Sequence, residues 1–406
     1  MQIRHILVAL KKHRLATVLI ALEIALACAV LCNAVFLIAN RLSAMSIDSG
    51  VDDASLGTIV VTGFDPKQTQ DLNARMTAGL GAIAGIESVH AISSVPFGPQ
   101  WGVSGMTLDQ AGKQAGAVVE FYDGSPGAPE ALGLKLVAGQ LPAAGDYQPL
   151  PAQDYFPASS RVLITRALAK KLWPGESPLG KQFWVAKWQF RVIGVVANLS
   201  VSQYTENGEQ GAQWSVFVPT RPGGQLAGTY LIRAAPQDLE RVMVAARTAV
   251  AKIAPEVVLD HHNSRTLPTL RANFFKSDRA MAGLLVGVIA AMLLVTALGI
   301  TGLASFWVQQ RTRSIGIRRA LGATRGDILH YFQTENFLIV SLGIVLGMLL
   351  AFALNLLLMT HYELPRLPLV YLPIGAAALW LLGQLAVLGP ALRAAAVPPV
   401  VAARSV

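Results

Sequence analysis

The chain has 406 residues, of which 53% are hydrophobic and 14% charged, with a formal net charge of +9 and a mean hydropathy of +0.47. Soluble domains carry about 25% charged residues, so this balance excludes an ordinary soluble enzyme and points to a membrane protein. The basic excess flanks apolar runs, where it faces anionic lipid, and requires no nucleic-acid partner.

Residues 1–14 form a basic N-terminal segment carrying Arg4, Lys11, Lys12 and Arg14 without an acid. Residues 15–40 form the first apolar run. It is longer than the core of a cleaved signal peptide, so an uncleaved anchor is expected. It contains one charge, Glu23. At about 1.5 Å per residue, this carboxyl lies about 12 Å inside the membrane. An acid there is a functional candidate by default, and pairing with a cytoplasmic arginine is the structural alternative. Cys28 and Cys32 share a face of this span and read as small packing residues.

Residues 41–275 are the large segment between spans and read as α+β. "GTIVVTGFDPKQTQDLNARMTAGLGAIAGIESVHAIS" (57–93) predicts strand, helix, strand, and 228–262 repeats the pattern. This suggests one subdomain from 41–145 plus 228–275, whose halves meet, with 146–227 inserted between them. Within the insertion, "WPGESPLGKQF" contains Gly175, Gly180 and Lys181 at P-loop spacing. A P-loop requires a strand before the glycines and a helix after them, with a hydroxyl following the lysine. Here a helix ("RALAKKLW") precedes and a strand follows. Gln182 replaces the hydroxyl and Pro178 interrupts the loop, so a nucleotide site is rejected. His261 and His262 read as solvated, and neither a metal-ligand spacing nor a nucleophile elbow is present in 41–275.

Residues 281–310, 336–360 and 367–392 contain no charged residue and are long enough to span about 30 Å of hydrocarbon. The expected spans are 15–40, 281–308, 332–360 and 369–391, joined by loops at 309–330 and 361–368 and followed by a tail, 392–406. Arginines cluster in 1–14, 311–330 and the tail, so these are expected in the cytoplasm, with 41–275 outside. Gly299, Gly302, Gly343 and Gly347 permit close helix contact, such as a dimer interface.

The loop "QQRTRSIGIRRALGATRGDILHYFQTENFLIV" (309–340) interleaves arginine and apolar residues up to Leu321. Gly322-Ala323-Thr324 then ends the element, and Thr324 with Asp327 predicts a cap for the next helix. Lying on lipid is one reading of such a basic amphipathic element. Docking a soluble partner through Ile315, Ile317, Ala320 and Leu321 is the other.

Two stretches carry a family resemblance. Leu168, Ala169, Leu172 to Gly175, Pro178, Gly180, Lys181 and Val192 to Val196 resemble the extracytoplasmic core domain of MacB-like ABC transporter permeases. Arg311, Ile315, Gly316, Ile317, Arg319, Ala320, Leu321, Gly322, Ala323 and Glu335 resemble the FtsX-type permease signature. Pro390, Arg393, Ala394, Ala395 and Pro399 resemble its tail. Ser314 departs from it, standing where the signature has glutamate.

The resemblance implies four transmembrane helices with a large α+β extracytoplasmic domain inserted between the first and second. It implies a non-catalytic permease in the inner membrane that binds no cofactor itself. ATP and Mg²⁺ would reside on a separate soluble ABC ATPase, seated on a short coupling helix within 311–323. A second permease subunit, identical or paralogous, is implied, and an adaptor with an outer-membrane duct is admitted as a partner. Efflux of a drug, peptide or other amphiphile is the expected work. The alternatives are an FtsX-like regulator of a cell-wall enzyme, a lipoprotein-release permease, or a receptor without an ATPase.

Overall fold

A computed structural model describes residues 14–150, 154–202, 211–362 and 366–398. The chain divides into two units, 46–276 and the helices formed by 1–45 with 277–406. In chain order, helix α1 (Arg14–Met45) outlasts its expected span.

In the unit 46–276, the two repeats form one four-stranded sheet. Strand β1 (Leu56–Thr62), helix α2 (Thr69–Gly81) and β2 (Ile86–Ala91) make the first half. The intervening elements are β3 (Gly102–Thr107), β4 (Ala115–Gly124), α3 (Ala128–Leu132), β5 (Leu136–Gly139), β6 (Gln148–Pro149), β7 (Ser159–Thr165), α4 (Arg166–Leu172), β8 (Gln182–Val185), β9 (Trp188–Val196) and β10 (Ser215–Arg221). The second repeat follows as β11 (Thr229–Ala234), α5 (Leu239–Ile253) and β12 (Val258–Leu259). The halves meet as expected, because β1 pairs antiparallel with β11, Thr58 opposite Leu231, and the sheet order is β12-β1-β11-β2. Ile59 and Tyr230 from the strands pack on Leu72, Met76, Val242 and Val250 from the two helices. The fit is tight: a Cβ on Gly57 would meet the Met243 sulfur at 2.5 Å.

The inserted part is larger than expected. β3 and β4 do not join the first subdomain; they belong to the second sheet, ordered β4-β3-β8-β9-β7-β10-β6, with β5 on β9. The division at 145 is therefore corrected, and strands from 102 to 221 form one body. The cause is a long-range pairing, because β10 runs parallel to β4, Val216 opposite Phe121. That pairing closes β4, β3, β8, β9, β7 and β10 into a ring, which removes exposed sheet edges. Alternate residues fill it, among them Phe121, Val162, Ile164, Phe190, Val216 and Val218. A further apolar core, including Tyr122, Leu163, Phe217, Leu231 and Leu267, lies within this unit.

The glycine-lysine segment is the turn from α4 into β8. Thr165 caps α4 by accepting from the Leu168 amide at 3.3 Å. After the turn, Gly180 N donates to Val192 O, and Val192 N to Lys181 O. Lys181 pairs on the surface with Glu176 at 2.6 Å. No helix N-terminus follows the glycines, so the amides do not converge on a phosphate site.

Helix α6 (Leu267–Phe274) precedes α7 (Lys276–Ala320), α8 (Arg325–Tyr362) and α9 (Tyr371–Ala395). Here the structure corrects the expected separate coupling helix. Residues 309–320 continue α7 without a break. Arginine is a good helix former, so the change to polar residues marks the membrane boundary and not the end of the helix. The helix ends where Gly322 takes φ +101°. Gly322 N bonds Arg319 O and Ala323 N bonds Arg318 O, a Schellman closure. The predicted cap then opens α8: Asp327 N donates to Thr324 Oγ1 at 3.2 Å, and Thr324 N to Asp327 Oδ2 at 2.9 Å.

The glycines of α8 and α9 receive α1 of the same chain. A Cβ on Gly347 would lie 2.5 Å from Cys28 Cβ, and one on Gly375 would lie 2.5 Å from Cys32 Sγ. Both cysteines are free and buried. The reading of Gly343 and Gly347 as a dimer interface is thus corrected, because α1 already fills that groove.

Candidate functional site

The end of α7 sorts its residues by helical face. Ile315, 5% exposed, packs with Val308, with Ile328 and Phe332 of α8, and with Ala391 and Ala394 of α9. Gly316 is also buried. Arg311 Nη1 donates to Glu335 Oε2 at 2.9 Å and to Oε1 at 3.0 Å, with the carboxylate side chain only 2% exposed. The guanidinium also lies 5.9 Å from the Trp307 ring. Arg319 Nη1 donates to Ala395 O at 2.7 Å and Val397 O at 3.3 Å, satisfying carbonyls at the end of α9. Arg318 stacks over Tyr331 at 5.0 Å.

The opposite face carries Arg313, Ser314, Ile317 and Ala320, all exposed, and Leu321 and Gly322 continue it into the turn. Ile317 is 46% exposed and Leu321 84%. Ala323 is half-buried. The docking set expected from sequence is therefore divided. Ile315 and Gly316 belong to the interior, while Arg311 and Arg319 hold α7 to α8 and α9. Ile317, Ala320, Leu321 and Gly322 remain available on the surface.

Glu335 is a member of this constellation whose role the sequence left open. The signal was an acid isolated near the start of a long apolar helix, facing an arginine in the preceding one. Glu23, the other intramembrane acid, has no ion partner among the described residues; Arg4, Lys11 and Lys12 lie outside them. Its carboxylate rests on the backbone of α7, and a Cβ on Gly299 would meet Oε2 at 2.7 Å. Glu23 Oε1 is buried without a hydrogen-bond partner among the described residues.

Two arginines make ion pairs, one in each unit. Arg41 on α1 and Asp278 on α7 pair at 2.5 Å. In the other unit, Arg271 on α6 donates to Ile47 O at 2.5 Å and Asp53 Oδ2 at 2.9 Å, and lies 5.1 Å from the Phe97 ring. Among the described residues, no group of three His, Cys, Asp or Glu is placed to hold a metal.

Comparisons with known proteins follow this layout. The family model for the MacB-like periplasmic core domain matches residues 16–257, and that for the FtsX-like permease C-terminal region matches 286–399. A macrolide export ATP-binding/permease protein, MacB, of Marinobacter nauticus is 29% identical over 206 residues, covering 50% of this chain and 31% of its own length. The ABC transporter permease YknZ of Bacillus subtilis is 28% identical over 204 residues, covering 47% of this chain and 48% of its own length. This chain thus spans about a third to a half of these curated relatives. The crystal structure of the periplasmic region of MacB from Actinobacillus actinomycetemcomitans aligns at 17% identity and a TM-score of 0.37, covering 55% of this chain and 94% of that one. With four helices among the described residues long and apolar enough to cross a membrane and an α+β domain between the first and the rest, the chain belongs to the MacB-like, FtsX-like family of ABC transporter permeases.

Proposed function

We propose that this chain couples a separate ABC ATPase to conformational work by the 46–276 domain, with the ATPase seated on the outer face of the α7 end. The observation that carries this reading is Leu321, 84% exposed on a turn fixed by the Schellman closure and the Thr324–Asp327 cap. A large apolar side chain held at the tip of a rigid turn is suited to a pocket on another protein. Ile317 and Arg313 extend the patch.

The distribution of arginines supports a cytoplasmic α7–α8 turn and cytoplasmic termini, with 46–276 on the opposite side. ATP and Mg²⁺ would then act on the partner subunit. A second permease, identical or paralogous, would complete a symmetric pair, and an adaptor with an outer-membrane duct suits an exporter of a drug, peptide or other amphiphile. The Arg41–Asp278 and Arg271–Asp53 pairs support transmission, since each fastens the chain near an end of α1 or α7.

The test is ATPase stimulation by the full-length protein in lipid nanodiscs, using the ATPase recovered with it from native membranes. Leu321→Glu and Ile317→Glu are expected to abolish stimulation without changing thermal unfolding. Full stimulation in both variants would refute the docking assignment. Gly316→Asp is not a suitable probe, because Gly316 is buried and an aspartate there would disturb packing directly.

A further inference from the structure

The closed ring of strands in the 46–276 unit has a mouth. A cavity of about 360 Å³ opens there, lined by Trp101, Phe121, Tyr155, Phe156, Val185 and Trp188, with Ser104 and Gln225 as polar neighbours. The rings form an angular box. Tyr155 and Phe156 each meet Trp188 nearly edge-on, at 6.4 and 5.6 Å, and Phe156 meets Phe121 at 4.7 Å.

The strand directions place three polar side chains at this same end. β4 and β10 run parallel and finish here, while β7 runs opposite to β10 and begins here. Alternation from Phe121, Val162 and Val218 turns Asp123, Ser160 and Thr220 to the inner face. Asp123 is fully buried. Its Oδ2 accepts from Trp101 Nε1 at 3.1 Å, which ties it to the cavity wall. The Thr220 hydroxyl lies beside the Asp123 carboxyl as a neutral hydrogen-bonding neighbour, and Ser160 Oγ has no hydrogen-bond partner among the described residues.

A fully buried carboxyl without a cation beside it destabilises a fold. Among the described residues Asp123 makes no ion pair, whereas the rim charges are matched: Lys187 pairs with Asp154 at 2.5 Å and lies 5.2 Å from the Trp188 ring. Aromatic faces and an unmatched carboxyl both favour a positive guest. The volume is at the small end of ligand pockets, enough for one ring or a short chain with an amine.

We propose that this barrel mouth is a binding site for a small organic cation with an apolar body. Its ammonium lies among the Trp101, Tyr155 and Trp188 rings, with Asp123 supplying the opposite charge through the Trp101 wall. The site is independent of ATPase docking, so either reading can fail alone.

The test uses the full-length protein in nanodiscs and 2-phenylethylammonium, with 2-phenylethanol and phenylacetate as neutral and anionic probes of the same skeleton. Binding is read by calorimetry and by tryptophan fluorescence at pH 8. Saturable binding of the ammonium, at least about tenfold tighter than the alcohol, is expected. Asp123→Asn keeps the shape and the acceptor for Trp101, and should remove that preference while leaving the alcohol unchanged. Trp188→Ala, at the rim, should weaken both ammonium and alcohol. Absence of saturable ammonium binding overturns the proposal. So does equal affinity for the ammonium and the alcohol, which would instead mark an apolar socket for a partner's aromatic side chain. An unchanged preference in Asp123→Asn also overturns it.

Discussion

Arg311→Ala decides whether the signature arginine contacts the ATPase or holds the docking surface in place. Arg311 is 18% exposed and Glu335 2%, with 2.9 Å between nitrogen and oxygen. Removing one partner from such a pair costs about 3–5 kcal/mol, because the remaining charge loses its compensation. The slight exposure of Arg311 argues for the lower end, about 3 kcal/mol. That is a large share of the roughly 5–15 kcal/mol by which proteins are usually stable. Replacing both residues, as Arg311→Met with Glu335→Leu, removes both charges together and should restore most of the loss. Cys28 and Cys32 are fully buried, so a thiol-reactive fluorophore reports unfolding from inside the helix bundle. If Arg311 acts by position, the single variant melts early and stimulates poorly, and the double variant recovers both properties. If Arg311 touches the ATPase, both variants stay inactive. A single variant that melts like the parent would refute the energetic reasoning.

Four further outcomes are expected. Gly347→Ala would push a Cβ to 2.5 Å from Cys28 Cβ and 2.6 Å from Ala25 O; parting α1 from α8 should cost about 1–3 kcal/mol, read by the same fluorophore. Gly287→Ala has nothing within 4 Å and should be silent. Thr324→Ala removes the α8 cap and should cost about 1 kcal/mol, measured by thermal unfolding. Burial pushes the Asp123 carboxyl up to about 7 from an ordinary 3.8, so the folded state holds this proton more tightly than the unfolded one. Stability should therefore fall as pH rises from 3.8 to 7, by on the order of 4 kcal/mol. In denaturant titrations Asp123→Asn should flatten that slope, gaining on the parent at pH 8 and not at pH 4.

The parts legible in the sequence are those set by local chemistry. Uncharged runs longer than a bilayer fix the spans, and the Thr324–Asp327 spacing fixes the start of α8. The strand–helix–strand repeats were visible because each carries its own turn residues and apolar period. What stayed hidden depends on contacts distant in sequence. Val216 and Phe121 lie about ninety-five residues apart, and nothing within "GVSGMT" or "AGAVVEFYDG" states that they join a ring. The small residues at Gly343 and Gly347 announced a close helix neighbour without saying which. Likewise, the sequence placed Ile315 and Ile317 on one amphipathic element, but only packing against Phe332 and Ala394 shows that they face opposite ways.

The same arginines that read as a topology signal also limit which residues the proposed docking face can offer. Arg311 is engaged by Glu335, Arg319 by the α9 carbonyls and Arg318 by Tyr331. These contacts fix the rotation of α7 and leave its outward face to Ile317, Leu321 and the exposed Arg313. Because α7 is continuous from Lys276 to Ala320, a force applied at Leu321 enters one 45-residue helix, about 67 Å long, and not a hinged loop. Its far end follows directly from α6, where Arg271 grips Ile47 and Asp53. In the proposed coupling, an unbroken helix would pass displacement along its axis, and the rigidity built by the arginine contacts would serve that transmission.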